Sequence, residues 1–80
     1  MIVKVELPEG FQGELDHHVE EQASYIETGK LEFTVDGKVN VLSKGDALFI
    51  PSNVPHKVNV IETCTIIDVF TPIRSSLLEN

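Results

Sequence analysis

The sequence predicts an all-β fold, a sandwich or rolled barrel of eight short strands, and three observations carry that reading. Apolar and polar residues alternate with a period of two along most of the 80 residues. No window of about 11 residues sustains the 3.6-residue apolar period of an amphipathic helix. Turn-forming residues interrupt the alternation at intervals of roughly 8 to 12 residues, the spacing of closed antiparallel architectures. Doubly wound α/β folds are excluded for want of helices.

The elements follow in order. Ile2 to Leu7 alternates and is stopped by Pro8, after which Pro8-Glu9-Gly10 reads as a turn. Leu15 to Val19 is the second strand. Ala23 to Glu27 and Leu31 to Val35 flank Thr28-Gly29-Lys30, which reads as a hairpin connection because glycine takes the positive φ that its neighbours avoid. Asp36-Gly37 leads to the strand at Val39 to Val41 and is the strongest hairpin signal in the chain, since Asp-Gly suits a type I′ turn. Ser43-Lys44-Gly45-Asp46 makes another turn, Ala47 to Ile50 a short apolar strand, and Pro51 to Pro55 a rigid loop. His56 to Ile61 and Cys64 to Phe70 are then separated by a turn at Glu62-Thr63, and Ser75 to Asn80 forms a short helix or a tail. Phe33, Phe49 and Phe70, with Val39, Val41, Leu48, Ile50, Val58 and Val60, are the expected core.

Composition bounds the function. The length fits one domain over residues 1–80. A body this small hides only about 60% of its unfolded surface, which favours a partner subunit. Strands near both termini would otherwise leave sheet edges unpaired, so a homodimer is expected. Thirteen acidic against six basic residues give a net charge of -7, with no cationic cluster for phosphates, so neither nucleic acid nor an anionic membrane is an expected partner. No apolar run approaches the roughly 18 residues of a membrane span, and the polar start is unlike a signal peptide. A single cysteine, Cys64, excludes an internal disulfide and fits a reducing compartment, so the expected location is the cytoplasm. Cys64 itself, between Thr63 and Thr65, reads as a half-buried structural thiol. Glu20, Glu21, Glu27 and Glu32 read as a solvated acidic face.

Two spaced blocks carry the chemistry. In the first, Gly10 is followed by Asp16, His18, Gln22 and Gly29; in the second, Gly45 is followed by Pro51, Asn53 and His56. Residues two apart on a strand share a face, so Asp16 and His18 project together while His17 points away. Gln22, opening the next strand, faces back toward that pair, and Ser24 and Ile26 continue its inward face. His56 opens a strand directly after a proline-bounded turn that aims it into a barrel mouth. Imidazole nitrogens with oxygen donors suit a divalent first-row metal ion, namely iron, manganese, zinc, nickel or copper. The candidate metal ligands are therefore His18, Gln22, His56 and Asp16.

These residues and spacings resemble the cupins. That family's first motif is Gly, five residues, His-x-His, three or four residues, Glu, six residues, Gly; its second is Gly, five residues, Pro-x-Gly, two residues, His, three residues, Asn. The resemblance spans positions 10 to 59 and implies a cupin barrel, the double-stranded β-helix or jelly-roll-like fold, with a metal in its mouth. The chain departs from the pattern at four places. Asp16 stands where the family has its first histidine, Gln22 where it has glutamate, and Asn53 where it has glycine, while Asn59 falls one position early for the closing asparagine. His17 would serve as a ligand only through a bulge that shifts the register by one. Asn accepts positive φ.

The segment Asp68-Val69-Phe70-Thr71-Pro72-Ile73-Arg74 resembles the ending of small cupins, among them the pectin-degradation enzymes that open unsaturated uronate sugars into linear keto-uronates. That resemblance makes Asp68 and Arg74 catalytic and places Phe70 and Arg74 in the substrate pocket. The chemistry is coherent: Asp68 as acid or base, Phe70 as an apolar wall, Arg74 as a fork for a carboxylate. Two functions are then in view. One is a metal-dependent enzyme of isomerase, lyase or oxygenase type, acting on a small carboxylated or sugar-like molecule. The other is a non-catalytic module that binds or senses a small ligand, metal-free because Asp16 replaces an imidazole.

Overall fold

The computed structural model describes residues 1–72. Arg74 and the tail expected from Ser75 to Asn80 lie outside the described residues. Among the described residues there are five strands and no helix: β1 (Ile2–Leu7), β2 (Glu21–Val35), β3 (Lys38–Ser43), β4 (Ala47–Ile50) and β5 (His56–Thr71). All pairings are antiparallel. The sheet runs β1-β5-β2-β3, with β4 on the first half of β2.

The all-β reading holds, but the eight expected strands are redistributed. The segments Ala23–Glu27 and Leu31–Val35 do not form a hairpin; they are two halves of the 15-residue β2. Gly29 is the reason. Its φ of +92° does not turn the chain back but sits in a stretch of register shifts between Ile26 and Leu31 against β5. A Cβ there would lie 2.2 Å from the Thr63 carbonyl oxygen and 2.7 Å from Cys64 Cα, so only glycine lets the two backbones meet. For the same reason Glu62-Thr63 is not a turn, and β5 runs unbroken for 16 residues. A straight 15-residue strand would be roughly 50 Å long. The body is 29 Å in its longest direction, so β2 and β5 must bend at the bulge. Each thereby contributes to both walls of the barrel.

Leu15 to Val19 is not a strand either. The chain from Gly10 to Asp16 lies along the outer edge of β5 and touches it only at intervals: Gly10 N–H donates to Val60 O (3.0 Å) and Gly13 N–H to Val58 O (2.8 Å). Asp16 and His56 exchange both backbone bonds, at 2.9 and 2.8 Å. The Asp36-Gly37 hairpin forms as expected, with Val35 opposite Lys38 and positive φ at both turn residues, 50° and 78°. Asn53 also takes the positive φ anticipated for it, 62°.

Ile26, Leu31, Phe33, Leu42, Ile50, Val60, Cys64, Ile66 and Phe70 are buried. Cys64 is fully buried rather than half-buried, because the β2–β5 approach at Gly29 closes over it. Three expected core residues lie outside: Phe49, Val39 and Val41 are each more than half exposed. On β3 the inward positions are Asn40 and Leu42, and on β4 they are Leu48 and Ile50. Both strands carry apolar residues on both faces, so alternation identified the strands but not their inner side.

Candidate metal centre

The two sequence blocks meet through backbone bonds. Asn53, in its left-handed conformation, donates its N–H to His18 O at 2.7 Å, and Ser52 Oγ donates to Val19 O at 2.6 Å. The Pro51–Pro55 loop therefore holds the segment that carries His18 while it delivers His56 into β5. Asp16 is fixed by its paired backbone bonds to His56. One ligating atom from each of Asp16, His18 and His56 then lies within 4.8 Å of the others. The shared face predicted for Asp16 and His18 is thus found without a strand beneath it, and His17 points away and is exposed.

The imidazoles are oriented by carbonyls. His18 Nδ1 donates to Glu20 O at 2.9 Å and His56 Nδ1 donates to Val54 O at 2.9 Å. Each Nδ1 therefore carries its proton, leaving Nε2 as the nitrogen available to the centre, an arrangement that commonly sets a metal-ligating histidine. The rings meet edge to face with centroids 4.9 Å apart, and Phe70 packs on His18 at 5.7 Å. Gln22, buried on β2, places Oε1 3.1 Å from His18 Nε2. Neighbouring ligands of one first-row ion stand about 3 Å apart when each bond is about 2.1 Å and the angle is near 90°. Two imidazoles, an amide oxygen and a carboxylate form a donor set suited to such an ion.

Behind Gln22 lies a polar chain. Its Nε2 donates to Ser24 Oγ (2.9 Å) and to Asp68 Oδ1 (3.2 Å), and Ser24 Oγ donates to the same Asp68 oxygen at 2.6 Å. Short bonds to an ionised acceptor are among the stronger ones in proteins. Asp68, Gln22, Asp16 and His56 all face one cavity of about 210 Å³, whose other walls include Phe11, Phe33, Ile66 and Phe70. The site is a polar floor in an apolar cup.

The structure brings together Asp16, His18, Gln22, His56, Asp68 and Phe70; Arg74 lies outside the described residues. Sequence reasoning passed over three residues. Glu20 does not belong to a solvated face: its carboxylate is 3.7 Å from His18 Nδ1 and its side chain is 14% exposed. No periodic signal marks it, because residues 17–20 lie between strands. Parity places Ser24 on an inward face but gives it no partner, and no motif marks Lys57, which lines the cavity beside His56.

Among the described residues the structure is an antiparallel β-barrel with imidazole, carboxylate and amide groups gathered at one mouth, a set that could hold a metal ion. The chain belongs to the cupin family, whose Cupin_2 model, described as a cupin domain, matches residues 3–70. It is 32% identical over 63 residues to the pectin degradation protein KdgF of Dickeya dadantii, a match covering 78% of this chain and 57% of that protein. The chain thus spans somewhat over half the length of that relative. An RmlC-like cupin from Shewanella frigidimarina superposes with a TM-score of 0.92 at 34% identity, covering 96% of this chain and 69% of the other. KdgF from Halomonas sp. gives 0.92 at 30% identity, over 96% and 72%.

Proposed function

We propose that this cupin holds a divalent metal ion with Asp16, His18, Gln22 and His56, and uses it as an isomerase-, lyase- or oxygenase-type enzyme on a small carboxylated or sugar-like molecule. The convergence of the three ligating atoms within 4.8 Å, with Gln22 Oε1 beside His18, is the observation that carries this reading. The departures at Asp16 and Gln22 also support it when taken together. The usual set of three histidines and a glutamate carries one negative charge, and so does Asp16 with His18, Gln22 and His56. The carboxylate has changed places with a neutral ligand, and the charge facing the ion is the same.

When bound, the ion would supply Lewis acidity toward a carbonyl or hydroxyl oxygen. The chain's own residues supply the rest. Asp68, whose Oδ1 is held by two donors, lines the cavity as the residue whose carboxylate takes and returns a proton. Phe70 keeps water from that wall, and Lys57 offers a cation to a substrate carboxylate at the rim. Arg74 is assigned the same partner by resemblance to the pectin-degradation cupins. The likeness to KdgF proteins makes sugar acids from pectin breakdown the first substrates to try.

One observation favours the non-catalytic alternative. Asp16 is exposed, and its Oδ1 accepts the His17 N–H at 2.8 Å. A ligand-binding barrel without a metal is the reading that follows if this contact holds Asp16 back from the centre.

The chain is also proposed to work as a cytoplasmic homodimer. Phe49, Ala23, Val69 and Ile2 form one cross-strand row over β4, β2, β5 and β1, all facing outward. A second copy would cover this row. Among the described residues no helix is long and apolar enough to cross a membrane.

Elemental analysis of protein purified without added metal, with melting curves in added zinc, manganese or iron, tests the central reading. Stoichiometric metal is expected. At a hundredfold excess over Kd the stabilisation should be about 2.7 kcal/mol. His18→Ala and His56→Ala should abolish both effects and His17→Ala neither. Less than about a tenth of an ion per chain with no thermal shift would turn the assignment to the metal-free alternative.

A further inference from the structure

A glutamine makes an ambiguous ligand. One end of its carboxamide is an oxygen that binds a cation and the other an NH₂ that repels it, and the two ends have nearly the same shape. Ser24, 1% exposed, and Asp68 resolve the ambiguity. Gln22 Nε2 spends its two hydrogens on Ser24 Oγ (2.9 Å) and Asp68 Oδ1 (3.2 Å). Ser24 has already committed its own proton to Asp68 at 2.6 Å and can only accept from Gln22. Turning the amide over would set its oxygen against a hydroxyl that has no proton left to give and against a carboxylate oxygen. Both hydrogen bonds would be lost and replaced by contacts between acceptors, inside a site where unpaired polar atoms are costly; the one bond gained, from the turned NH₂ to an unprotonated His18 Nε2, would close that nitrogen to a metal.

We infer that Ser24 is a positioning residue, acting with Asp68 to hold the Gln22 carboxamide with its oxygen toward His18 and so to make glutamine serve as a one-sided oxygen ligand. The inference rests on the metal reading above and adds the element that makes position 22 competent without a carboxylate. It also links Asp68 to the centre, because the oxygen that receives Gln22 and Ser24 belongs to the residue assigned to proton transfer. A glutamate at 22 would need no such device, since both of its ends are oxygens.

Cobalt(II) titration followed by d–d absorption tests this in four proteins: wild type, Ser24→Ala, Gln22→Glu and the double variant. Groups that orient metal ligands are typically worth 10- to 100-fold in affinity. Ser24→Ala is therefore expected to weaken cobalt binding by at least tenfold and to alter the band shape. In the Gln22→Glu background the same change should shift affinity by less than about threefold. Equal losses in both backgrounds, or no loss in either, would overturn the orienting role. A second measurement needs no metal. The side-chain NH₂ resonances of Gln22, assigned by their absence in Gln22→Glu, should exchange slowly with solvent in wild type and at least about tenfold faster in Ser24→Ala. If wild type binds no cobalt, the metal reading fails on that result. The amide exchange then decides the orientation separately, and unchanged exchange in Ser24→Ala overturns it.

Discussion

The bulge at Gly29 divides β2 and β5 into two ladders that obey the same rules and do opposite things. In the first, the inward rungs are Gln22 opposite Phe70, Ser24 opposite Asp68 and Ile26 opposite Ile66. In the second they are Leu31 opposite Val60, Phe33 opposite Val58 and Val35 opposite His56. The first ladder puts an amide, a hydroxyl and a carboxylate inside and an apolar row of Phe49, Ala23, Val69 and Ile2 outside. The second is apolar inside except for its last rung, and outside it sets Glu32 between Val41 and Asn59. A fold built for stability alone would not bury the polar trio, since a well-packed apolar set would stabilise it as well or better. One ladder is mainly a core, and the other gives up some of that role to a buried polar trio.

The largest effect should come from the bend that separates the two. Gly29→Val would force a β-branched side chain into positive φ and a Cβ to within 2.2 Å of a backbone oxygen. We expect a loss of more than about 4 kcal/mol, which approaches the whole stability of a small domain. Urea melts of the variant would show it, and a folded protein with an unchanged midpoint would mean that the bulge does not need glycine. Phe33→Ala, in the apolar ladder, should cost about 3–5 kcal/mol. Ser24→Ala, at an equivalent inward site of the polar ladder, should cost about 1–3 kcal/mol, because it leaves Gln22 short of one acceptor without opening a large cavity. Reversal of that order would mean that the polar trio, not the aromatic, holds the barrel together.

The parts legible in the sequence were those that depend on neighbours along the chain. Asp36-Gly37 fixed a register by its own conformational preference, and motif spacing singled out Asp16, His18 and Gln22, although the strand expected from Leu15 to Val19 is absent. What escaped needed a partner distant in sequence. Gly29 has the positive φ expected of a turn, but only the proximity of Thr63 and Cys64 shows that it serves a bulge, so one strand read as a hairpin. Phe49, Val39 and Val41 alternate as core residues do, yet Leu48, Ile50 and Leu42 alternate as well on the opposite face, and local pattern cannot choose between them. Glu20 and Ser24 act through hydrogen bonds across strands or along an aperiodic segment, where no spacing rule applies.

The outer faces give the next contrast. If the row from Phe49 to Ile2 is where two copies meet, light scattering should report twice the 8.9 kDa chain mass, and Phe49→Lys should return it to 8.9 kDa. Loss of one aromatic anchor at an interface can cost about 2 kcal/mol, enough to raise a dimer Kd roughly thirtyfold. Val41→Lys, on the outside of the second ladder, should leave the mass at the dimer value. Equal effects at both positions would dissolve the distinction between the faces.

The smallest effect is expected at the hinge itself. Burial pushes the Cys64 thiol above its ordinary value; a bond from the Lys30 backbone opposes this, and the nearby Glu62 charge adds to it. Below the ordinary thiol range both folded and unfolded chains carry a neutral sulfur, so Cys64 makes stability independent of pH there. Above it the unfolded chain releases the proton while the folded one keeps it, and stability falls as pH rises. Wild type should therefore lose ground to Cys64→Ala between pH 7 and pH 10 in paired urea melts, by a modest amount set by this one group. The same burial should make the native thiol slow toward an alkylating reagent at neutral pH and fast once the chain is unfolded. A thiol that reacts readily in the folded protein would mean that β2 and β5 part at Gly29, so that the two ladders would not share one rigid hinge.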